Sequence, residues 1–180
     1  MTKATNIANR TSIHDRPAEA AGTRFGDWEV DTIIDSYGHA ILTLTERSTN
    51  FIIMERLPQG RKAVPAAQAV VGLLFPYRDT VKTITTDNGC EFAAHLDITE
   101  RLSPKNGDKI IVYFTDSYSS WQKGAIENAN KLIRRYIPKN ANFNDFSDRR
   151  IRTIQKKLNM RPREKINFDT PKRRFFANFD

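Results

Sequence analysis

Polar and apolar residues along this chain first alternate and then change to a helical period. From Trp28 to Asp35 (WEVDTIID), Ala40 to Thr45 and Phe51 to Leu57, β-branched and aromatic residues cluster in short runs joined by the brief connections SYGH and ERSTN. Such runs read as strands, and connections this short join antiparallel neighbours. After Pro58-Gln59-Gly60 the apolar positions Val64, Ala67, Val70, Val71 and Leu74 follow a helical spacing, which predicts an amphipathic helix ending near Pro76. Val81 to Thr86 predicts a strand, Asn88-Gly89 a sharp turn, Glu91 to Leu102 a short helix, SPKNGDK a loop and Ile110 to Phe114 another strand. A helical pattern spans Trp121 to Tyr136. A last helix over Ser147 to Asn159 precedes the basic tail RPREKINFDTPKRRFF.

The order β-β-β-α-β-α-β-α predicts an α/β fold with a mixed five-stranded sheet: three antiparallel strands, then strands alternating with helices that cover both faces. Residues 1–23 lack a sustained period and read as a linker or N-terminal arm. Residues 24–140 read as the core and 141–180 as a C-terminal helix with a basic tail.

A chain of 180 residues is long enough for one well-buried domain. Its 29 basic and 21 acidic residues give a formal charge of +8 and a pI near 9.7, a balance that favours a polyanionic partner. Cys90 is the single cysteine, so an internal disulfide and a thiolate metal cage are both excluded; it reads as a small buried thiol. His14, His39 and His95 show no ligand spacing. No apolar run approaches the roughly 20 residues that span a bilayer. The polar start MTKATNIANRTS lacks the apolar core of a signal peptide, so the expectation is a cytoplasmic protein without membrane contact.

Three acids stand out by context. In the first strand Glu29, Asp31 and Ile33 share one face, while Trp28, Val30, Thr32 and Ile34 share the other. A charge in mid-strand needs a partner, a hydrogen bond or a metal, the other reading being an edge-strand acid facing water. Asp87 stands at the C-terminal lip of a strand, where open α/β sheets place ligands; an Asx turn before Asn-Gly is the alternative. Glu127 flanks the stripe of Ile126, Ala129, Ile133 and Ile137, beside Lys123, Lys131 and Arg134. An ordinary solvated Lys–Glu–Lys face is the alternative there. Convergent carboxylates on a basic chain suit hard cations such as Mg²⁺ and phosphodiester chemistry, with the cations of the last helical face and Arg135 lining a phosphate-binding surface.

The motifs resemble the DDE transposases of bacterial insertion sequences, specifically the IS-thirty family within the ribonuclease-H-like integrase superfamily. NRTSIHDRPAE is similar to the stretch ahead of that family's catalytic domain, FGDWEVDTII to its first-acid motif, TTDNGCEFAAH to the second and DSYSSWQKGAIENANKLIRRYIPK to the third; LNMRPREKINFDTPKRRF resembles the closing segment. The resemblance implies a ribonuclease-H-like sheet and assigns Asp31, Asp87 and Glu127 as catalytic, metal-binding acids for two Mg²⁺ ions, with Mn²⁺ as a substitute. It assigns Trp121, Gln122 and Asn128, with Gly124, to the signature around the glutamate, and Lys131 and Arg134 to positions facing DNA; Lys123 and Arg135 complete the expected DNA-binding set. The implied partner is double-stranded DNA, element ends and target, engaged by a homo-oligomer in the bacterial nucleoid.

There are departures. The interval from Asp87 to Glu127 is longer than the family's, with the excess at Ser103 to Lys109, and Ser117 and Ile126 replace the more usual proline and asparagine. No helix-turn-helix precedes the core, so the chain reads as a fragment or a truncated product. A ribonuclease-H-type nuclease and a catalytically silent DNA-binding regulator are the rival functions. Two further expectations follow from the pattern. Glu29, as a strand-mate of Asp31, should tolerate an amide change far better than the triad. Ile151, Ile154, Leu158, Phe175 and Phe176 serve equally as self-packing or as dimer contacts.

Overall fold

The computed structural model describes residues 7–179. Its six-stranded sheet contains β1 (Thr11–Ser12), β2 (Asp27–Ile34), β3 (Ala40–Glu46), β4 (Ile52–Leu57), β5 (Thr83–Thr86) and β6 (Ile111–Phe114), in the order β1-β6-β5-β2-β3-β4. β2, β3 and β4 form the expected antiparallel meander. β5 and β6 add in parallel on the other side of β2. The expected count of five is corrected to six, because Thr11 and Ser12 pair in parallel with Tyr113 and Phe114 at the sheet edge. Too short to show a period, that strand is placed by its neighbours: Ile7, Ile13 and Ala20 on either side of it are buried.

Among the described residues five α-helices cover the sheet: α1 (Ala63–Leu74), α2 (His95–Leu102), α3 (Gly124–Ile133), α4 (Asp148–Asn159) and α5 (Pro171–Phe176). The alternation read in β2 divides the core. Trp28 and Val30 join Val70 and Leu74 of α1, Ile98 and Leu102 of α2 and Phe175 of α5 on one face. Ile33 joins Ile126, Ala129 and Ile133 of α3 and Ile151, Ile154 and Leu158 of α4 on the other. The proposed dimer contacts on α4 and at Phe175 are therefore internal: Phe175 stacks on Phe51 at 4.1 Å between ring centroids, whereas Phe176 is 41 % exposed. Burying a side chain of this size contributes roughly 1.5–3 kcal/mol, which explains why a tail that reads as basic and polar is docked onto the core.

α4 also covers the outer edge of the sheet. Gln155 Oε1 accepts the Met54 N–H at 2.8 Å, and Asn159 exchanges two hydrogen bonds with the Ile52 backbone at 2.9 and 2.7 Å. An open edge strand leaves such groups unpaired, so this cover removes an aggregation surface. None of the described helices is long and apolar enough to cross a membrane.

Candidate active site

The parallel register of β2 and β5 places two acids side by side. Glu29 is aligned with Thr85, so Asp31 and Asp87 each stand two residues farther along neighbouring strands. Asp87 lies just past the end of β5, and its backbone turns at once: the Gly89 N–H donates to Asp87 Oδ1 at 2.9 Å, forming the Asx turn. The turn and the ligand-like position coexist, because Oδ2 stays free of the turn and points at Lys123. A Cβ on Gly89 would stand 3.0 Å from Asp87 Oδ1 and 2.6 Å from Glu91 Oε2, so a side chain there would force the Glu91 carboxylate to shift. The neighbouring Glu91 is buried and bound to Arg61 Nη2 at 2.7 Å, with Thr32 Oγ1 donating to its other oxygen.

α3 supplies the opposite wall. Lys123 Nζ, immediately before α3, lies 3.3 Å from Asp31 Oδ1 and 3.2 Å from Asp87 Oδ2, and its side chain is only 5 % exposed. Two turns on, Asn130 Nδ2 donates to Asp31 Oδ2 at 2.9 Å while its own Oδ1 accepts from Thr43 Oγ1 at 3.0 Å. Thr43 is the cross-strand partner of Asp31, so strand pairing and helix docking fix one carboxylate together. The Thr32 N–H adds a third donor at 2.9 Å.

Burial pushes the Asp31 carboxyl well above the ordinary carboxylate range, against the pull of the Lys123 ammonium, and the nearby Asp87 charge pushes the same way. Burial alone would lower Lys123; the charges of Asp31 and Asp87 outweigh it and hold the ammonium above its usual value. The three groups form one electrostatically coupled unit in which a single ammonium faces two carboxylates.

Of the residues singled out in the sequence, the structure brings together Asp31, Asp87 and Lys123. Lys123 is thus not on an open, DNA-facing surface: it is turned inward onto the acids. Glu127 sits on α3 between Lys123 and Asn130, half-buried, and takes part in none of the ion pairs among the described residues. Among those residues no three His, Cys, Asp or Glu side chains close into a cation cage. Asn128 and Lys131 are exposed on α3, Arg135 is exposed in the turn that follows, and Trp121 is 72 % exposed. Gln122 is engaged with Asp116, donating from Nε2 at 2.9 Å. Arg134 turns back to the Ile34 carbonyl at 3.1 Å and lies over the Phe143 ring, so its role is in packing.

One expectation fails, and the surroundings of Glu29 bear on another. Cys90 is exposed, because the short 3-10 turn Cys90–Phe92 rotates Glu91 and Phe92 inward and the thiol outward. Glu29 is fully buried: it pairs with Arg47 Nε at 2.8 Å and accepts the Ile126 N–H at 2.8 Å, which makes it a structural group rather than a neutral neighbour. Asn130 escaped the sequence reading altogether. Its signal was the stripe Lys123, Glu127, Asn130, Arg134, one helix face whose only member with both donor and acceptor is the asparagine.

No protein-family model matches the chain. It is 40 % identical over 171 residues to a transposase for the insertion sequence element IS4351 of Bacteroides fragilis, covering 94 % of this chain and 50 % of that protein. It is 35 % identical over 169 residues to the transposase InsI for element IS30A of Escherichia coli, covering 93 % of this chain and 42 % of that protein. A probable transposase for the insertion-like element IS1161 of Streptococcus salivarius is 36 % identical over 168 residues, 91 % of this chain and 46 % of its own length. The chain spans about half the length of these curated relatives or less.

Proposed function

This chain belongs to the insertion-sequence transposases of the IS-thirty type, and from that premise we propose that it is their metal-dependent catalytic part, cutting DNA at element ends and joining the freed 3′ end to target DNA. The observation that carries the proposal is the aligned pair Asp31 and Asp87 sharing one cation at 3.2–3.3 Å. Two hard oxygen donors already arranged around a positive charge fit a magnesium site, and the ammonium stands in for the ion. Asp31 and Asp87 would hold the metal, with Glu127 joining from the facing helix. Bound there, Mg²⁺ or Mn²⁺ supplies charge stabilisation for the attacking and leaving oxygens of a phosphodiester exchange.

The chain's own residues do the rest. Asn130 and the Thr32 N–H orient the Asp31 carboxylate, and the Gly89 turn orients that of Asp87. Lys131 presents a cation and Asn128 a neutral donor on the exposed face of α3, with Arg135 in the turn after it, where a DNA backbone passing the acids would meet them. Trp121 offers an exposed ring on which a base can stack. An assembly of at least two chains would hold two ends against one target.

The test is a gel assay that separates strand cleavage from strand joining in Mg²⁺ or Mn²⁺, on the wild type and on Asp31→Asn, Asp87→Asn and Glu127→Gln. Each amide removes the negative charge and keeps the size, so both reactions should vanish while the melting temperature stays near wild type. Glu100, an exposed acid on α2, is the control, and its change to Gln should leave activity intact. Wild-type cleavage by any triad variant removes that residue from the site, and cleavage without joining favours a nuclease.

A further inference from the structure

Lys123 is out of place for a residue that merely attracts DNA. Lys131 on α3 and Arg135 in the turn after it are exposed, whereas the Lys123 side chain is 5 % exposed and its ammonium is directed between two carboxylates. Burying an ammonium is costly unless ions of opposite sign face it, and here two do. The oxygens that face it are Asp31 Oδ1 and Asp87 Oδ2, while Asp31 Oδ2 is taken by Asn130 and Asp87 Oδ1 by the Gly89 N–H. The Lys123 contacts therefore use Asp87 Oδ2 and Asp31 Oδ1, the latter also accepting the Thr32 N–H at 2.9 Å. A divalent ion held by the same two acids needs those oxygens too, so lysine and metal cannot both have them.

We propose that Lys123 is an internal counter-cation, holding Asp31 and Asp87 together in the resting chain and competing with the divalent ion for them. This rests on reading the two acids as metal ligands. The acids alone carry two negative charges, Lys123 leaves one uncompensated, and a divalent ion cancels both. Exchange is therefore favourable once metal is plentiful, and scarce metal leaves the site closed. The lysine is also placed to leave: it ends a 3-10 turn with non-helical backbone, and the next residue, Gly124, has open space where a Cβ would be. Once released, the ammonium stands beside the acids, within reach of a phosphate drawn to the metal.

Binding of Mn²⁺ to the 180-residue chain, read from the electron paramagnetic resonance signal of the free ion, tests this without any enzymatic activity. Lys123→Met should bind Mn²⁺ at least tenfold more tightly than wild type. It should also melt lower without metal and gain more from adding it. Equal or weaker binding by Lys123→Met, with binding lost in Asp31→Asn, overturns the counter-cation and leaves the metal reading standing. Wild-type binding by Asp31→Asn overturns the metal reading itself. The unsubstituted protein gives a second measurement: the Lys123 ε-methylene NMR signal should change from that of a restrained lysine to that of a free one as Mg²⁺ saturates the site. A signal that does not move at saturation overturns the proposal.

Discussion

Glu29 Oε2 accepts a 2.8 Å hydrogen bond from the Ile126 N–H, tying β2 to the first turn of α3 one residue before Glu127. The helix N-terminus has unpaired donors, and a buried carboxylate there satisfies one of them while meeting the positive end of the helix dipole. Its other oxygen faces Arg47. Glu29 therefore sets where α3 begins, and through it where Lys123, Glu127 and Asn130 stand.

Glu29→Gln should accordingly be costly for folding. The amide can still accept from Ile126, but Arg47 is left as a buried charge without its partner, which costs about 3–5 kcal/mol. Urea denaturation of Glu29→Gln beside Glu100→Gln measures the difference. A Glu29→Gln midpoint equal to wild type would show that the pair contributes nothing. Restoration of part of the loss in Glu29→Gln/Arg47→Met would assign the cost to the stranded arginine.

The strand and helix order was readable because hydrophobic periodicity is local: Trp28 and Val30 do fall on the face opposite Ile33, and Ile126, Ala129, Ile133 and Ile137 are all buried. The pairing of Asp31 with Asp87 was readable from motifs and from strand ends. What a side chain touches across 36 or 97 positions was not, as in Lys123 with Asp87 and Ile126 with Glu29. A helical wheel places Lys123 near Glu127 but says nothing of the strand beneath it, and a strand alternation gives Glu29 and Asp31 the same face without saying that one meets an arginine and the other a lysine. Cys90 misled for the same reason: an apolar residue beside a turn carries no period that fixes its side.

Asn130 gives the clearest test of support for the acids. It donates to Asp31 and accepts from Thr43, so Asn130→Ala unties the carboxylate and leaves the buried Thr43 hydroxyl with only its longer 3.3 Å bond to the Asp31 carbonyl. Partners that orient a metal ligand are typically worth about 10–100-fold in metal affinity or activity. The lost hydrogen bonds should lower stability by only about 1–2 kcal/mol. Mn²⁺ titration beside a thermal melt separates the two effects. Unchanged Mn²⁺ affinity in a folded Asn130→Ala would mean that Asp31 is positioned by its strand alone.

Asp35 makes stability depend on acid pH. Burial pushes its carboxyl up, but the Phe143 N–H, the His39 ring and the N–H groups of His39 and Tyr37 outweigh that and hold it at about 2, below its ordinary 3.8. A group lower in the folded than in the unfolded state favours folding where it is ionised in both. Its contribution is complete above about pH 4 and is lost as pH falls from 3.8 toward 2. Asp35→Asn should be less stable than wild type at pH 6, with the gap narrowing as pH approaches 2. Denaturant midpoints at pH 6, 4 and 2.5 check this, and a gap independent of pH would rule out an ionic cause.

DNA affinity should come mainly from phosphate contacts. Exposed cations include Lys131 of α3, Arg135 in the turn after it, Arg149, Arg150, Arg152, Lys156 and Lys157 of α4, and Lys172, Arg173 and Arg174 of α5, a broad basic surface suited to phosphates. Each phosphate neutralised releases counterions, so the logarithm of affinity should fall linearly with that of salt, by about 0.9 per contact. Lys131→Gln/Arg135→Gln should therefore reduce the slope by about two while weakening two unrelated duplexes equally. Arg134→Gln should behave differently, because Arg134 is bound to the Ile34 carbonyl and packed on Phe143: the melting temperature should drop and the salt slope should hold. Fluorescence anisotropy on both duplexes at several salt concentrations reads all three proteins. A flat salt response, or strong preference for one duplex, would mean that base contacts or shape dominate. A slope lowered by Arg134→Gln as much as by the double change would mean that its guanidinium leaves Ile34 for the DNA.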